Sequence, residues 1–176
     1  MRLLRLFTTL SLFFSAISFV SAQDTNEDIA KEWERAKAYT KAYLDAMPED
    51  KYSLKPTPEM RSFADQALHL ADANYGLIAA ATGVKGPSEF GELEKSTDKS
   101  KAAVTDKVLD SYDWVITSVR KMTPEQLNEH IKLFDKFELS RRMALAKGFE
   151  HQTHHRGQTT VYLRLAGVKP PEEMLF

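Results

Sequence analysis

Three of the chain's five histidines fall inside the run His151-Gln152-Thr153-His154-His155. On a helix, residues four apart share one face, so His151 and His155 can point at the same atom. Imidazole is the commonest protein ligand for borderline transition metals, and two on one turn make half of a metal site. A third ligand must then come from elsewhere in the chain. Pairs at this spacing also sit on solvated helix faces, or as buried rings bonded to backbone carbonyls. Spacing alone therefore leaves the metal and the structural roles both open.

The elements that must position these rings read as helices. From Ile29 to Met47 the apolar positions recur at alternating three- and four-residue steps (Ile29, Trp33, Ala36, Thr40, Tyr43, Leu44, Met47), and Pro48 stops the run. A loop through Pro56 and Pro58 follows. The Thr57-Pro58-Glu59 signal predicts a second helix from about Glu59 to Gly83. Gly86-Pro87 opens a polar linker to about Ser100, and Val104 to Met122 carries a third helix. Thr123-Pro124-Glu125 reads as a short helical turn, Ile131 to Leu139 as extended. Ser140 then caps a fourth helix that runs to about Ala166 before Gly167. Four long helices predict an all-α four-helix bundle.

On the fourth helix Ala144, Gly148, His151, His155, Gln158, Tyr162 and Ala166 form one stripe. On the second, Asp65, His69, Asp72, Ala73, Gly76 and Ala80 form another. Small residues beside histidines let two helices approach closely. Neither stripe is its helix's most apolar seam, which places the histidines along a groove or at one open end. A lone helical histidine such as His69 is more often exposed or structural than a ligand. Gly157 is disfavoured inside a helix by roughly 1 kcal/mol against alanine, and close approach of another backbone is the reading that explains it.

Residues 1–22 read as a secretory signal peptide. Arg2 and Arg5 precede an apolar stretch from Leu6 to Val20, and Val20-Ser21-Ala22 suits cleavage before Gln23. Removing 22 residues from 176 leaves 154, one domain's worth, over residues 23–176. Loss of the two arginines moves the formal charge from −1 to −3. Without a basic patch, nucleic acid is not the expected partner. No stable membrane span is expected once the signal is cleaved. Cysteine is absent, which excludes disulfides, thiolate ligands and a cysteine nucleophile together. The fold must then rest on its core, for which 43% hydrophobic residues suffice.

Met47-Pro48-Glu49-Asp50-Lys51-Tyr52 with Lys55-Pro56-Thr57-Pro58-Glu59-Met60, and Phe63 to Leu77 around His69, resemble the first interhelical segment and second helix of DinB-family proteins. His151 to Gln158, followed by Tyr162-Leu163-Arg164, Gly167 and Pro170-Pro171, is similar to that family's C-terminal motif. The resemblance covers essentially all of residues 23–176. It implies a bundle wound up-down-down-up that holds one divalent metal on three histidines, here His69, His151 and His155. Family members often pair, so a homodimer is a further expectation.

Three neutral nitrogens leave the metal's charge uncompensated and at least one coordination position open, the mark of a catalytic rather than a structural site. Zinc and nickel both suit that donor set, and ligand chemistry does not separate them. Asp65 and Asp72, four before and three after His69, are placed to accept the free ring N–H of a ligand. Arg156 is a candidate to orient an anionic substrate, and Gln158 a candidate for the pocket. His154 matches no ligand position and reads as a packing or outer hydrogen-bonding residue; His130 reads as a surface residue. The reading that follows is an exported metal-dependent hydrolase of an unknown small molecule. The alternatives are a thiol-dependent S-transferase, which export disfavours, and a non-enzymatic module that binds metal or a small ligand.

Overall fold

The computed structural model describes residues 24–176. The expected signal peptide lies outside the described residues. Helix α1 (Asn26–Ala46) starts where Thr25 and Asp28 cap each other: the Thr25 hydroxyl accepts the Asp28 N–H at 3.1 Å, and the Asp28 carboxylate accepts the Thr25 N–H at 3.0 Å. Its buried residues, Ala30, Trp33, Ala36, Thr40, Tyr43 and Leu44 among them, repeat at the expected helical steps.

Helix α2 (Phe63–Thr82) begins at Phe63 rather than near Glu59. Ser62 and Asp65 form the real capping box, and Thr57 to Met60 is only a turn closed by Met60 N–H on the Thr57 carbonyl. The free amides of Phe63 and Ala64 are taken by the carbonyls of Leu54 and Tyr52, so the preceding loop fixes the entry angle. Gly83, at φ +75°, ends the helix in the left-handed conformation that favours glycine.

Helix α3 (Lys101–Arg120) starts at a Ser100 cap, and the short α4 (Pro124–Asn128) at a Thr123 capping box. The segment expected to be extended is an antiparallel hairpin of β1 (His130–Leu133) and β2 (Phe137–Ser140), with Leu133 opposite Phe137. His130 is exposed at its start, in keeping with a surface role. Ser140 caps helix α5 (Arg141–Leu165), which ends before Gly167 at φ +76°.

Cross-helix bonds fix the winding. The Asn26 side chain donates to the Arg120 carbonyl and Lys101 to the Met47 carbonyl, so α1 and α3 are antiparallel. Asp65 pairs with Lys99 and Asn74 bonds Ser111, so α2 and α3 are parallel. Arg141 donates to the Ala81 carbonyl and Tyr162 to that of Arg61, so α2 and α5 are antiparallel. Up-down-down-up is the result. Trp33, Phe63, Leu68, Tyr112, Leu145 and Tyr162 are almost fully enclosed in the middle. Burial of each large apolar side chain contributes about 1.5–3 kcal/mol.

Close packing of α5 on α2 occurs at Gly148, where a Cβ would lie 2.6 Å from Ile78 Cδ1. Gly157, by contrast, meets nothing within 4 Å among the described residues, so the close approach expected there is not found among them. Among the described residues no helix is long and apolar enough to cross a membrane.

Candidate metal centre

Antiparallel packing of α2 on α5 brings His69 opposite His151 and His155. One nitrogen from each ring lies within 4.8 Å of the others. Ring centroids are 4.2 Å apart for His151 and His155, 4.6 Å for His69 and His155, and 5.4 Å for His69 and His151. The Nε2 atoms of His151 and His155 face each other at 3.1 Å. Zinc–nitrogen bonds of about 2.0–2.1 Å place two nitrogens of one ion about 3.3 Å apart in tetrahedral geometry and about 2.9 Å apart at an octahedral right angle. The observed spacing lies between the two.

Burial is the main reason His155 is driven down to a pKa of about 3, with the neighbouring rings of His151 and His69 adding to it. His151 falls to about 4 for the same reason, with His69 and His154 contributing. Both rings are therefore neutral at pH 7, the form that ligates metal. His151 Nδ1 is enclosed and has no partner among the described residues. That nitrogen is across the ring from the Nε2 turned to the cluster, where the nitrogens within reach of one point can each offer a lone pair. The donor set thus fits a divalent cation.

Each ring's remaining nitrogen reveals how it is aimed. His69 Nδ1 lies 2.6 Å from Glu94 Oε1, which leaves Nε2 for a metal. Burial raises the Glu94 pKa, but hydrogen bonds from His69 and Arg61 outweigh it and hold the carboxyl below its ordinary value. Arg61 grips the other carboxylate oxygen at 3.1 Å. Glu94 itself is placed by Asp72, a fully enclosed carboxylate that accepts the backbone N–H groups of Leu93 and Glu94 at 3.0 and 2.9 Å. Asp72 therefore acts on the site through the loop and not through a ring nitrogen.

His155 Nδ1 lies 2.7 Å from the side-chain amide of Gln66, which is itself bonded to Gln158, and Gln158 to His154 Nε2 at 2.9 Å. The Gln66 Nε2 faces His155 Nδ1 and donates to Gln158 Oε1. For His155 to ligate through Nε2, its Nδ1 must carry the proton, which requires the Gln66 amide to be turned so that its oxygen accepts from the ring. With both amides so turned, Gln158 would donate to Gln66 and accept from His154. In that orientation the amide chain would hold the tautomer that ligation requires. His154 stays exposed at its outer end and does not join the triad.

Two expected residues lie elsewhere. Asp65 completes the α2 cap with Ser62 and pairs with Lys99, so it reaches no ring. Arg156 is buried on a different face of α5, donating to Gln152 at 2.8 Å and stacked 4.4 Å over Tyr39. It has no contact with the triad. Glu94 and Gln66 are the residues that sequence reasoning missed. Glu94 sits in a linker with no periodicity to flag it. Gln66, three before His69, could have been found as a polar residue on a helix face that must be covered.

A four-helix bundle carrying a three-histidine cluster between its second and last long helices defines the class of protein. Residues 22–174 match the DinB family, and the chain belongs to that family. A DinB-like protein from Bacillus cereus ATCC 10987 superposes with a TM-score of 0.73 at 23% identity, over 84% of this chain and 96% of that one. A DinB-like protein from Bacillus subtilis gives a TM-score of 0.64 at 21% identity over the same shares. A conserved protein from Enterococcus faecalis gives 0.67 at 17%, over 82% and 98%. These likenesses concern the fold. No curated protein matches the chain significantly.

Proposed function

We propose that this is an exported metal-dependent enzyme, most simply a hydrolase, that holds one zinc or nickel ion on His69, His151 and His155. The observation that carries the reading is the convergence of three ring nitrogens within 4.8 Å, with two of the rings oriented from outside by Glu94 and Gln66. A bound divalent ion would supply Lewis acidity at neutral pH. His69, His151 and His155 would hold it, Glu94 and Gln66 would aim the rings, and Phe90, edge-on to His69 at 6.4 Å, would limit water at one side.

Hydrolysis needs only metal and water, which suits an exported chain without cysteine. An S-transferase would need a low-molecular-weight thiol, chiefly a cytosolic reductant. A module that uses the ion only to anchor a ligand is the second reading; its support is that no carboxylate in the cluster is free to act as a base, Glu94 being engaged by His69 and Arg61.

Elemental analysis of protein purified from its own compartment, followed by ester, amide and thiol-transfer substrates, tests the assignment. One equivalent of metal with chelator-sensitive hydrolysis is the expected result. Metal without turnover of any substrate would favour the binding module, and absence of metal would end both readings. Intact mass of the same material tests export: cleavage before Gln23 is expected, and retention of Leu6 to Val20 would refute it.

A further inference from the structure

A cavity of about 380 Å³ adjoins the triad, walled by Ala73, Gly76 and Leu77 of α2, Phe90, Phe134 and His151. Its walls are apolar except for the His151 ring. Phe90 and Phe134 are exposed by 63% and 58%, well beyond what a core aromatic tolerates, and both stand at this cavity. A larger cavity of about 660 Å³ beside Trp33 and Phe149 opens at Asp24, where the described chain begins, and contains no histidine.

Two features show that the smaller cavity is built rather than left over. Gly76 is the only residue type that lets Phe90 lie where it does, because a Cβ there would stand 2.7 Å from Phe90 Cδ2. Phe134 occupies the left-handed region at φ +53°, followed by Asp135 at +55°. Turns of this kind favour Asn-Gly, and a bulky residue in that region is a genuine outlier. Such strain persists where surrounding structure holds a residue to a task. Here the turn delivers an aromatic ring from the hairpin to the cavity beside His151.

We propose that this cavity is the specificity pocket of the metal centre. It takes an aryl-sized apolar group of a small compound whose oxygen donor completes the coordination at His69, His151 and His155. Charge and volume both point that way. Three neutral ligands leave a divalent ion in need of an anionic or strongly polar donor. The cavity falls within the lower part of the range, about 300–1,000 Å³, of small-molecule sites. Phe90 and Phe134 are the specificity-determining residues. The inference rests on the metal reading for the donor end of the ligand, and on the cavity alone for the apolar end.

The experiment separates those two ends. Cobalt-loaded protein is titrated with benzohydroxamate and acetohydroxamate, read by the visible absorption of cobalt. Benzohydroxamate is expected to bind at least about tenfold more tightly, since burying a phenyl group removes much apolar area from water. Phe134→Ala and Phe90→Ala should each cut that ratio severalfold, and Phe137→Ala, on the same hairpin but outside the cavity, should leave it unchanged. Equal affinity of the two probes, or a ratio indifferent to Phe90 and Phe134, overturns the pocket while leaving the metal centre intact.

In parallel, the apoprotein is exposed to benzamide and acetamide, with the ring resonances of Phe90 and Phe134 followed by NMR. A benzamide-specific response without cobalt uptake would keep the cavity and refute the metal reading. If Phe134→Ala instead changed the oligomeric state and neither probe, the cavity would be an interface between copies and the proposal would fall.

Discussion

Helix α5 carries two polar clusters about 100° apart around its axis, and they differ in one respect that matters. On one face Gln152, Arg156 and Thr159 meet Tyr112 and Thr40. Thr40 bonds Tyr112 at 2.8 Å, Tyr112 donates to Gln152 at 2.9 Å, Arg156 donates to Gln152 at 2.8 Å, and Thr159 donates to the Arg156 carbonyl at 2.6 Å. Burial lowers the Arg156 pKa, while Tyr112 and Tyr39 oppose the shift. On the other face His151 and His155 point their Nε2 atoms at one another, with His69 across from them. A closed network specifies a fold; an open one asks for a ligand. Buried polarity alone does not mark a site, whereas ring nitrogens converging on one point do.

Ligand removal should give the sharpest contrast between the faces. Replacing His69, His151 or His155 by alanine is expected to weaken zinc binding by well over the roughly 10–100-fold typical of outer hydrogen-bonding substitutions. His154→Ala, being outside the cluster, should retain one equivalent. Chelator-competition titrations under identical loading decide it, and equal retention in all four would dissolve the distinction. Next in size, Gln152→Leu should destabilise the apoprotein by about 2–3 kcal/mol, because it strips hydrogen bonds from a buried guanidinium. Urea unfolding measures that loss, and zinc affinity should be nearly unchanged.

Smaller effects sharpen the line. Gln66→Leu and Glu94→Gln should each lower zinc affinity within that 10–100-fold range, by releasing His155 and His69 from their set orientations. A loss of stability without a loss of zinc would move these residues to the structural side. A separate effect is one of pH on the apoprotein. Unfolded histidines protonate near 6.5, whereas His151 and His155 resist until about 4 and 3. The unfolded chain therefore binds more protons in that window, so stability should be full above pH 6.5 and fall as pH drops towards 4. Melting curves across this range check it; the His151→Ala, His155→Ala double variant should show a shallower decline.

The bundle was legible because helical spacing, proline stops and serine caps agree with one another along α1, α3 and α5. At α2 they disagreed: Pro58 is a good first-turn residue, yet the reciprocal Ser62–Asp65 cap and the bonds to Leu54 and Tyr52 override it. Of the site, the i, i+4 pair His151 and His155 could be read directly, and His69 through family resemblance. Arg156 could not be placed, since a residue adjacent to His155 turns about 100° around the helix and lands in the other cluster. Glu94 was invisible because its position depends on Asp72 gripping a loop, an arrangement with no period.

Gln66 and His155 are 89 positions apart in the chain. Their meeting sets the clock of the centre. The full set of three rings assembles only when the second and last long helices have docked. An ion held by all three would act as a late clasp, slowing the unfolding limb of the kinetics more than it changes the folding limb. Lifetime, rather than the route to the native state, is what occupancy of the three rings would change.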